Sequence, residues 1–352
     1  MKSFDYVKPA SIPEAVAAAR APGAAYLAAG TNLLDLMKSG VSRPERLIDV
    51  THLPGLDTIE KLPDGGLRIG ALVRNADLAH DAAFAKAYPA VAEALLSGGS
   101  AQLRNAATVG GNLLQRTRCA YFYDVASACN KRAPGSGCDA RGGDNDMHAV
   151  LGWSDGCIAT HPSDFCVPLV ALDATVEIEG HGGRRETRLE DLHRLPGTTP
   201  EQETVLETGD LIVALKLPAE ARNFASHARY LKVRERTSYA FAVVSAAAHL
   251  TLAGGRIRQA RVALGGVAAK PWRAREAEAL LAGTDATTQN FRLAAEVALA
   301  AAKPSGDNVF KIELAQRIIV RALNLAAAGT PERVAALPAS PFSIHSGALH
   351  DA

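Results

Sequence analysis

The sequence lacks an excess of charge of either sign. Its 38 basic and 37 acidic side chains leave a formal net charge of +1. A balanced surface offers little electrostatic attraction to nucleic acid or to an anionic membrane. We therefore expect a protein that binds neither nucleic acid nor membrane and that recognises its partners by shape.

Long hydrophobic runs are also missing. No stretch approaches the roughly 18 apolar residues that a membrane-spanning helix needs. The residues at the N-terminus, Met1–Asp5, are not followed by the long apolar core of a signal peptide. These absences predict a protein made in the cytoplasm. A folded complex could still reach the periplasm if a partner carried the export signal.

Cysteine is absent from most of the chain. All five cysteines fall between residues 119 and 166, and the remaining residues contain none. In a chain without a secretion signal, such a cluster favours metal ligands over disulfides because the cytosol keeps thiols reduced. The segment that holds the first four of these cysteines, residues 116–157, is polar, rich in glycine and without periodicity. It needs a function or a cross-link to stay ordered.

The length of 352 residues, with 48% hydrophobic and 21% charged side chains, is typical of a folded protein with more than one domain. Turn-forming and polar residues over Pro218–Ala225 predict a connector. We predict a first domain over 1–220 that contains the 116–157 loop, a second over 226–330, and a tail over 331–352.

The predicted elements indicate an α+β fold. The first 115 residues alternate strands and helices, and one helix is expected over Leu33–Lys38. After the loop we expect a strand over Cys157–Thr160 and a helix over Ser163–Leu172. Beyond residue 226, alternating apolar residues predict an antiparallel sheet, and helical spacing then predicts two or three helices.

Two glycine turns are candidate phosphate sites. In LAAGTNLLDLMK (27–38) a strand runs through Gly30 into a helix, where a hydroxyl and unpaired N–H groups could meet an anion. In QLRNAATVGGNL (102–113) adjacent glycines stand among short polar residues that suit a diphosphate or ribityl chain. Each turn alone is more often plain packing, but two in one domain make a dinucleotide site plausible.

The segment THPSDF (160–165) offers Asp164 near the start of a helix. An aspartate at this place is commonly a helix cap. Its alternative role is to accept hydrogen bonds from ribose hydroxyls.

These segments, followed by RYLKVRERTSYAFAVVSAAA (229–248) and VALGGVAAKPWRA (262–274), resemble in order and spacing the FAD subunits of the xanthine oxidase family. The similarity extends over about residues 1–330. It is greatest to the medium subunit of three-subunit bacterial aldehyde oxidoreductases. It implies an FAD-binding domain of the vanillyl-alcohol-oxidase-like (PCMH) type with two α/β subdomains, followed by a smaller α+β domain of antiparallel sheet and helices.

The resemblance also implies cofactor contacts. The Ala28–Leu34 turn and the second glycine turn would hold the FAD diphosphate and ribityl chain, and Asp164 would bind the adenosine ribose. Lys232 and the 236–239 segment would approach the isoalloxazine, and Tyr239 would cover one ring face and exclude a nicotinamide. The implied FAD contacts are Ala28, Ala29, Gly30, Thr31, Asn32, Leu33, Leu34, Arg104, Thr108, Gly110, Gly111, Asn112, Asp164, Lys232 and Tyr239.

Within this resemblance the cysteine-rich loop is distinctive. Xanthine oxidases lack it, whereas the aldehyde oxidoreductase medium subunits, and in a related form 4-hydroxybenzoyl-CoA reductases, bind a 4Fe-4S cluster with a comparable insertion. The implied ligands are Cys119, Cys129, Cys138 and Cys157, spaced C-x9-C, C-x8-C and C-x18-C. Spacing this open does not name the metal, and structural zinc is the main rival. We expect Cys166, inside a predicted helix, to be a buried thiol.

The function implied is electron transfer. A large partner subunit with the molybdenum cofactor would oxidise an aldehyde, a small partner with 2Fe-2S clusters would pass electrons on, and this FAD would deliver them to an external acceptor. The chain offers no catalytic acid, base or nucleophile constellation, which fits a relay. The alternatives are a stand-alone FAD oxidoreductase and a zinc-stabilised nucleotide-binding scaffold.

Overall fold

The structure, a computed structural model, describes residues 1–332. From residue 333 onward the predicted tail lies outside the described residues. Across the described part of the chain, no helix is both long enough and apolar enough to cross a membrane.

The chain begins with a small α/β unit. Its three strands form a parallel sheet in the order β1-β3-β2. A capping box opens its first helix: Ser11 Oγ accepts the Glu14 N–H at 3.4 Å, and the Glu14 carboxylate accepts the Ala10 N–H at 2.9 Å. The elements are β1 (Asp5–Val7), α1 (Ile12–Ala19), β2 (Ala24–Leu27), α2 (Leu33–Lys38) and β3 (Arg46–Asp49).

A second unit is built on a five-stranded antiparallel sheet in the order β4-β5-β8-β6-β7. Residues 71–174 leave the sheet after β5, the chain returns to it as β6 and β7, and β8 then lies between β5 and β6. The elements are β4 (Ile59–Lys61), β5 (Leu67–Gly70), α3 (Asn75–His80), α4 (Ala82–Ala87), α5 (Pro89–Ser97), α6 (Ala101–Ala106), α7 (Val109–Leu113), α8 (Ala120–Tyr123), α9 (Cys166–Ala171), β6 (Thr175–Gly180), β7 (Gly183–Arg188), α10 (Leu189–Leu192) and β8 (Leu211–Leu217).

The C-terminal domain is a four-stranded antiparallel sheet, in the order β12-β11-β10-β9, covered on one face by three helices. The turn at Gly254–Gly255 has positive φ at both glycines, which suits a tight hairpin. The elements are β9 (Ala228–Val233), β10 (Val244–Ala253), β11 (Arg256–Gly265), β12 (Trp272–Arg273), α11 (Arg275–Leu281), α12 (Thr288–Ala298) and α13 (Phe310–Ala328).

The second face of this sheet packs on helices α5 and α9 of the first domain. The alternation of side chains along β10 explains the arrangement: Ala246 and Ala248 face the C-terminal helices, whereas Ala247 faces the other domain. The interface is made mostly of small residues, so backbones approach closely. Its members are Ala90, Ala94, Val167, Ala171, Ala228, Tyr230, Ala247 and Ala263.

A buried ion pair also joins the two domains at this interface. Arg229 Nε lies 2.9 Å from Glu93, whose second oxygen accepts the backbone N–H of Tyr230 at 2.6 Å. Both carboxylate oxygens of the buried Glu93 are therefore satisfied by the opposite domain. This arrangement fixes strand β9 against helix α5.

Two predicted elements are wrong or shifted. The strand predicted over Cys157–Thr160 is absent from the structure, which has a single bridge between Ser154 and Cys157 there. The helix predicted from Ser163 begins at Cys166, and Ser163 Oγ accepts the Cys166 N–H at 3.3 Å across the turn that precedes it. The predicted connector forms a 3-10 helix over Ala219–His227.

A buried histidine in the C-terminal sheet makes stability depend on pH. Burial, together with the nearby charges of Arg273 and Arg261, lowers the pKa of His249 to about 3. The unfolded chain binds a proton there near pH 6.5, whereas the folded chain does not. Folding should therefore lose about 1.4 kcal/mol per pH unit from this group as pH falls from roughly 6.5 to 3.

We predict that the His249→Phe variant takes up about one proton fewer than wild type on unfolding in this pH range. Its unfolding free energy should therefore depend less steeply on pH. Urea unfolding of wild type and variant at several values between pH 7 and pH 5 measures it. Equal slopes for the two proteins would contradict the prediction.

Candidate functional site

A cleft of about 830 Å³ opens between the first domain and the C-terminal sheet. This volume is within the range typical of ligand sites. Its walls come from the start of α2, helices α5 to α7, the 160–165 segment, and the connection between β9 and β10. Eight of the fifteen predicted FAD contacts lie on these walls: Thr31, Asn32, Arg104, Gly111, Asn112, Asp164, Lys232 and Tyr239.

The other seven predicted contacts are not part of the cleft lining: Ala28, Ala29, Gly30, Leu33, Leu34, Thr108 and Gly110. Gly30 has φ +72°, and a Cβ there would lie 2.7 Å from Leu34. The missing side chain thus permits the sharp turn that leads from β2 towards α2.

The adjacent glycines of the second turn have different surroundings. They lie inside the short helix α7, which the sequence did not predict, and Thr108 Oγ1 caps it by accepting the Gly111 N–H at 3.3 Å. A Cβ at Gly110 would lie 3.0 Å from Ala71, so this glycine permits close packing. Gly111 has Thr108 as its near neighbour and lies on the cleft wall.

The side chain of Asn112 is held by two donors. Its carboxamide oxygen accepts hydrogen bonds from Ser163 Oγ at 2.8 Å and from Gln115 Nε2 at 2.6 Å. These contacts join helix α7 to the 160–165 segment, and all three residues line the cleft. Asn112 is therefore positioned before any ligand binds.

Asp164 links the two domains across the cleft. It accepts a hydrogen bond from the Tyr230 hydroxyl at 2.5 Å and forms an ion pair with Lys232 Nζ at 2.7 Å. All three side chains are almost fully buried. Lys232 also donates to the Ser97 carbonyl at 3.2 Å. The carboxylate of Asp164 does not cap the helix that follows, so both of its oxygens serve this role.

Tyr239 stands at the mouth of the cleft with 55% of its surface exposed. Its φ of +51° is unusual for a residue other than glycine. Arg236 donates to its carbonyl oxygen from Nε at 3.0 Å and lies over its ring. Strained backbone of this kind is common at functional sites.

Sequence reasoning missed some residues of the cleft wall. The half-buried Arg118 stacks on Phe241 with 4.9 Å between guanidinium carbon and ring centroid, and burial lowers the pKa of this arginine. Both residues line the cleft, as do His148 and His161. Arg118 directly precedes Cys119, and this adjacency to a predicted ligand is the signal that could have identified it.

The four predicted cysteine ligands border one small second pocket, which we call the cysteine pocket. All five cysteines of the chain are free thiols. Cys129 and Cys138 are antiparallel bridge partners, with the Asn130 N–H donating to the Gly137 carbonyl at 2.7 Å between them. Burial raises the pKa of Cys119 to about 11. Such thiols need a cation to become thiolates.

The cysteine pocket and the cleft share a wall. Thr117 and Cys119 line both spaces, so the two sites lie next to one another. The loop that forms the pocket is held at one side by Glu203, which pairs with Lys131 and with Arg116, both at 2.9 Å.

At its other side the same loop is held by a buried lysine of helix α13. Lys311 Nζ donates to the carbonyl oxygens of Met147 at 2.9 Å, His148 at 2.8 Å and Gly266 at 2.7 Å. Burial lowers the pKa of Lys311 to about 7. The ordering of the loop therefore depends on the C-terminal domain.

Another group of metal-binding residue types lies behind the cleft. His161, Cys166 and His193 bring ligand atoms within 4.8 Å of one another. His161 Nδ1 accepts the Ser163 N–H at 3.3 Å, which leaves the ring proton on Nε2. His193 Nε2 contacts the Leu113 carbonyl at 2.8 Å. Burial raises the pKa of Cys166 to about 12, so a packed thiol beside neutral imidazoles accounts for the group.

Two known family models together match nearly all of the described chain. The FAD binding domain in molybdopterin dehydrogenase matches residues 2–220, and the CO dehydrogenase flavoprotein C-terminal domain matches residues 229–326. The cleft lies between the two matched regions, because its walls come from both.

Individual relatives agree with these matches. The aldehyde oxidoreductase FAD-binding subunit PaoB of Escherichia coli (strain K12) is 50% identical, covering 92% of this chain and 98% of the relative. The carbon monoxide dehydrogenase medium chain of Hydrogenophaga pseudoflava is 27% identical, covering 92% and 96%. A solved carbon monoxide dehydrogenase from Hydrogenophaga pseudoflava superposes with a TM-score of 0.72 at 28% identity, covering 93% of this chain and 98% of that one. The chain is therefore an FAD-binding medium subunit of the molybdenum hydroxylase family.

Proposed function

We propose that this chain is the electron-transfer subunit of a molybdenum-containing aldehyde oxidoreductase, with FAD in the cleft and a 4Fe-4S cluster at Cys119, Cys129, Cys138 and Cys157. Electrons would arrive from the 2Fe-2S clusters of a small partner subunit and leave through FAD to an external acceptor. The convergence of four free cysteines on one pocket beside the cleft carries the proposal.

The residues of the cleft suit a flavin dinucleotide. Its walls carry the guanidinium groups of Arg104 and Arg118, which form no ion pair within residues 1–332 and can pair with a diphosphate. Flavin supplies the ability to exchange electrons singly or in pairs, and the protein's part is to bind and orient it. Asn112, with its carboxamide fixed by Ser163 and Gln115, is suited to orient the ligand.

The spacing of the sulfur atoms favours a cluster over zinc. Four thiolates around one zinc ion lie about 3.8 Å apart, given Zn–S bonds of about 2.3 Å in a tetrahedron. Within residues 1–332, the four cysteines do not form a group whose ligand atoms all lie within 4.8 Å. A cube of four irons takes one thiolate at each iron and so accommodates sulfur atoms further apart.

The cleft is suited to electron relay more than to acid–base chemistry. The carboxylate of Asp164 is occupied by Tyr230 and Lys232, and burial holds the pKa of His161 well below its usual value. The name of the 50% identical relative supports aldehyde as the substrate class of the complex. A large molybdenum-cofactor subunit would then perform the oxidation.

Tyr239 is the residue we propose to cover one face of the isoalloxazine and to exclude a nicotinamide. Its place at the cleft mouth and its strained backbone support this role. The external acceptor would then be a species other than NAD.

Gly111→Leu should weaken FAD binding by more than about tenfold, a loss of about 1.4 kcal/mol. A side chain at this wall position would occupy space beside Thr108 that the ligand needs. FAD released on denaturation of the purified complex measures the loss. The matched control is Gly182→Leu, at an exposed turn with open space around it, which should retain FAD. Equal FAD content in both variants would count against the cleft as the FAD site.

Cys129→Ser should lose iron while keeping FAD, because a serine hydroxyl is a poor ligand for iron in a cluster of this type. Cys166→Ser is the matched control. Its thiol is also buried but does not border the cysteine pocket, so iron should remain. Metal analysis and a visible spectrum give the readout, and zinc in place of iron in the wild type would refute the proposed cluster.

A further inference from the structure

The side chain of His148 contacts the sulfur of Cys119, one of the four predicted cluster ligands. Its Nε2 lies 3.2 Å from Cys119 Sγ, within hydrogen-bond distance for sulfur. The imidazole is largely buried and also lines the cleft. It therefore lies at the wall shared by the cleft and the cysteine pocket.

The backbone around His148 holds the ring in this place. The His148 N–H donates to the Asn145 carbonyl at 3.0 Å. Its own carbonyl accepts hydrogen bonds from Asn308 Nδ2 at 3.0 Å and from Lys311 Nζ at 2.8 Å. Asn308 and Lys311 are fully buried residues at the start of helix α13, so the C-terminal domain sets the position of the imidazole.

The surroundings of the ring also place its proton. A neutral imidazole carries one N–H, which resides on the nitrogen that has an acceptor. Nδ1 of His148 has no hydrogen-bond partner in the described part of the chain, whereas Nε2 faces the Cys119 sulfur. The Nε2–H tautomer is thus favoured, and its donor points to the sulfur.

We propose that His148 is a positioning residue that tunes the redox potential of the cluster by donating Nε2–H to the Cys119 thiolate. This inference rests on the proposed cluster. Hydrogen bonds to cluster sulfurs stabilise the more negative, reduced form, because they offset charge on the sulfur. Reduction becomes easier, so the midpoint potential of the cluster rises.

The donor acts at a particular ligand. Cys119 borders both the cysteine pocket and the cleft. Among the four predicted ligands it is the one that lines the cleft. His148 would therefore stabilise negative charge at the ligand that lies next to the proposed flavin site.

The test compares His148→Leu, which removes the donor, with His148→Gln, whose amide N–H replaces it. Both variants are made in the assembled complex, and the cluster is titrated electrochemically with its paramagnetic resonance signal as readout. At the wild-type midpoint, His148→Leu should lower the ratio of reduced to oxidised cluster about tenfold, equal to about 59 mV for one electron. His148→Gln should stay close to wild type.

Two outcomes overturn the tuning role: a His148→Leu midpoint equal to wild type at equal iron content, or a His148→Gln midpoint shifted as far as that of His148→Leu. If His148→Leu does not retain iron, His148→Asn, whose shorter amide does not reach Cys119, is compared with His148→Gln instead. Wild-type complex without iron would refute the proposed cluster itself. This outcome is distinguishable from failure of the tuning role, because it appears before any variant is measured.

Discussion

The close packing of small side chains between the C-terminal sheet and helices α5 and α9 determines how the walls of the cleft that the two domains supply meet. Alanines on both sides let β9 approach α5 closely enough for Arg229 to reach Glu93. The same approach brings Lys232 to Asp164, so one wall of the cleft is supplied by each domain. Larger side chains at this interface would separate the walls and leave buried charges without partners, which is costly.

The sequence correctly predicted an element whose signal lies within a few neighbouring residues. Helix α2 has the predicted bounds of Leu33–Lys38, and the family resemblance gave the correct domain types. The strand predicted over Cys157–Thr160 did not form, because the Ile158 carbonyl bonds to the distant Ala149 N–H and the His161 N–H to the Ala268 carbonyl. Apolar runs this short do not reveal whether their partner is a strand or a loop.

The candidate site could be predicted in part. Clustering of cysteines indicated a metal site, and the structure brings the four predicted ligands to one pocket, but their open spacing said nothing about sulfur separations. The sequence did not predict the roles of Lys311 and His148, because Lys311 holds the His148 backbone from more than 160 residues away. A buried lysine bound to three carbonyl oxygens has no local pattern, since its partners come from a loop and a turn elsewhere in the chain.

The direct pairing of β5 with β8 has a consequence for how this architecture changes over time. Residues 71–174 connect β5 to β6, and both of these strands pair with β8, so a longer or shorter excursion leaves the sheet register unchanged. Doubling such a segment costs only about 0.6 kcal/mol in closure entropy. An ancestral scaffold of this kind can gain or lose an entire cofactor-binding insertion while the flavin-binding framework around it persists.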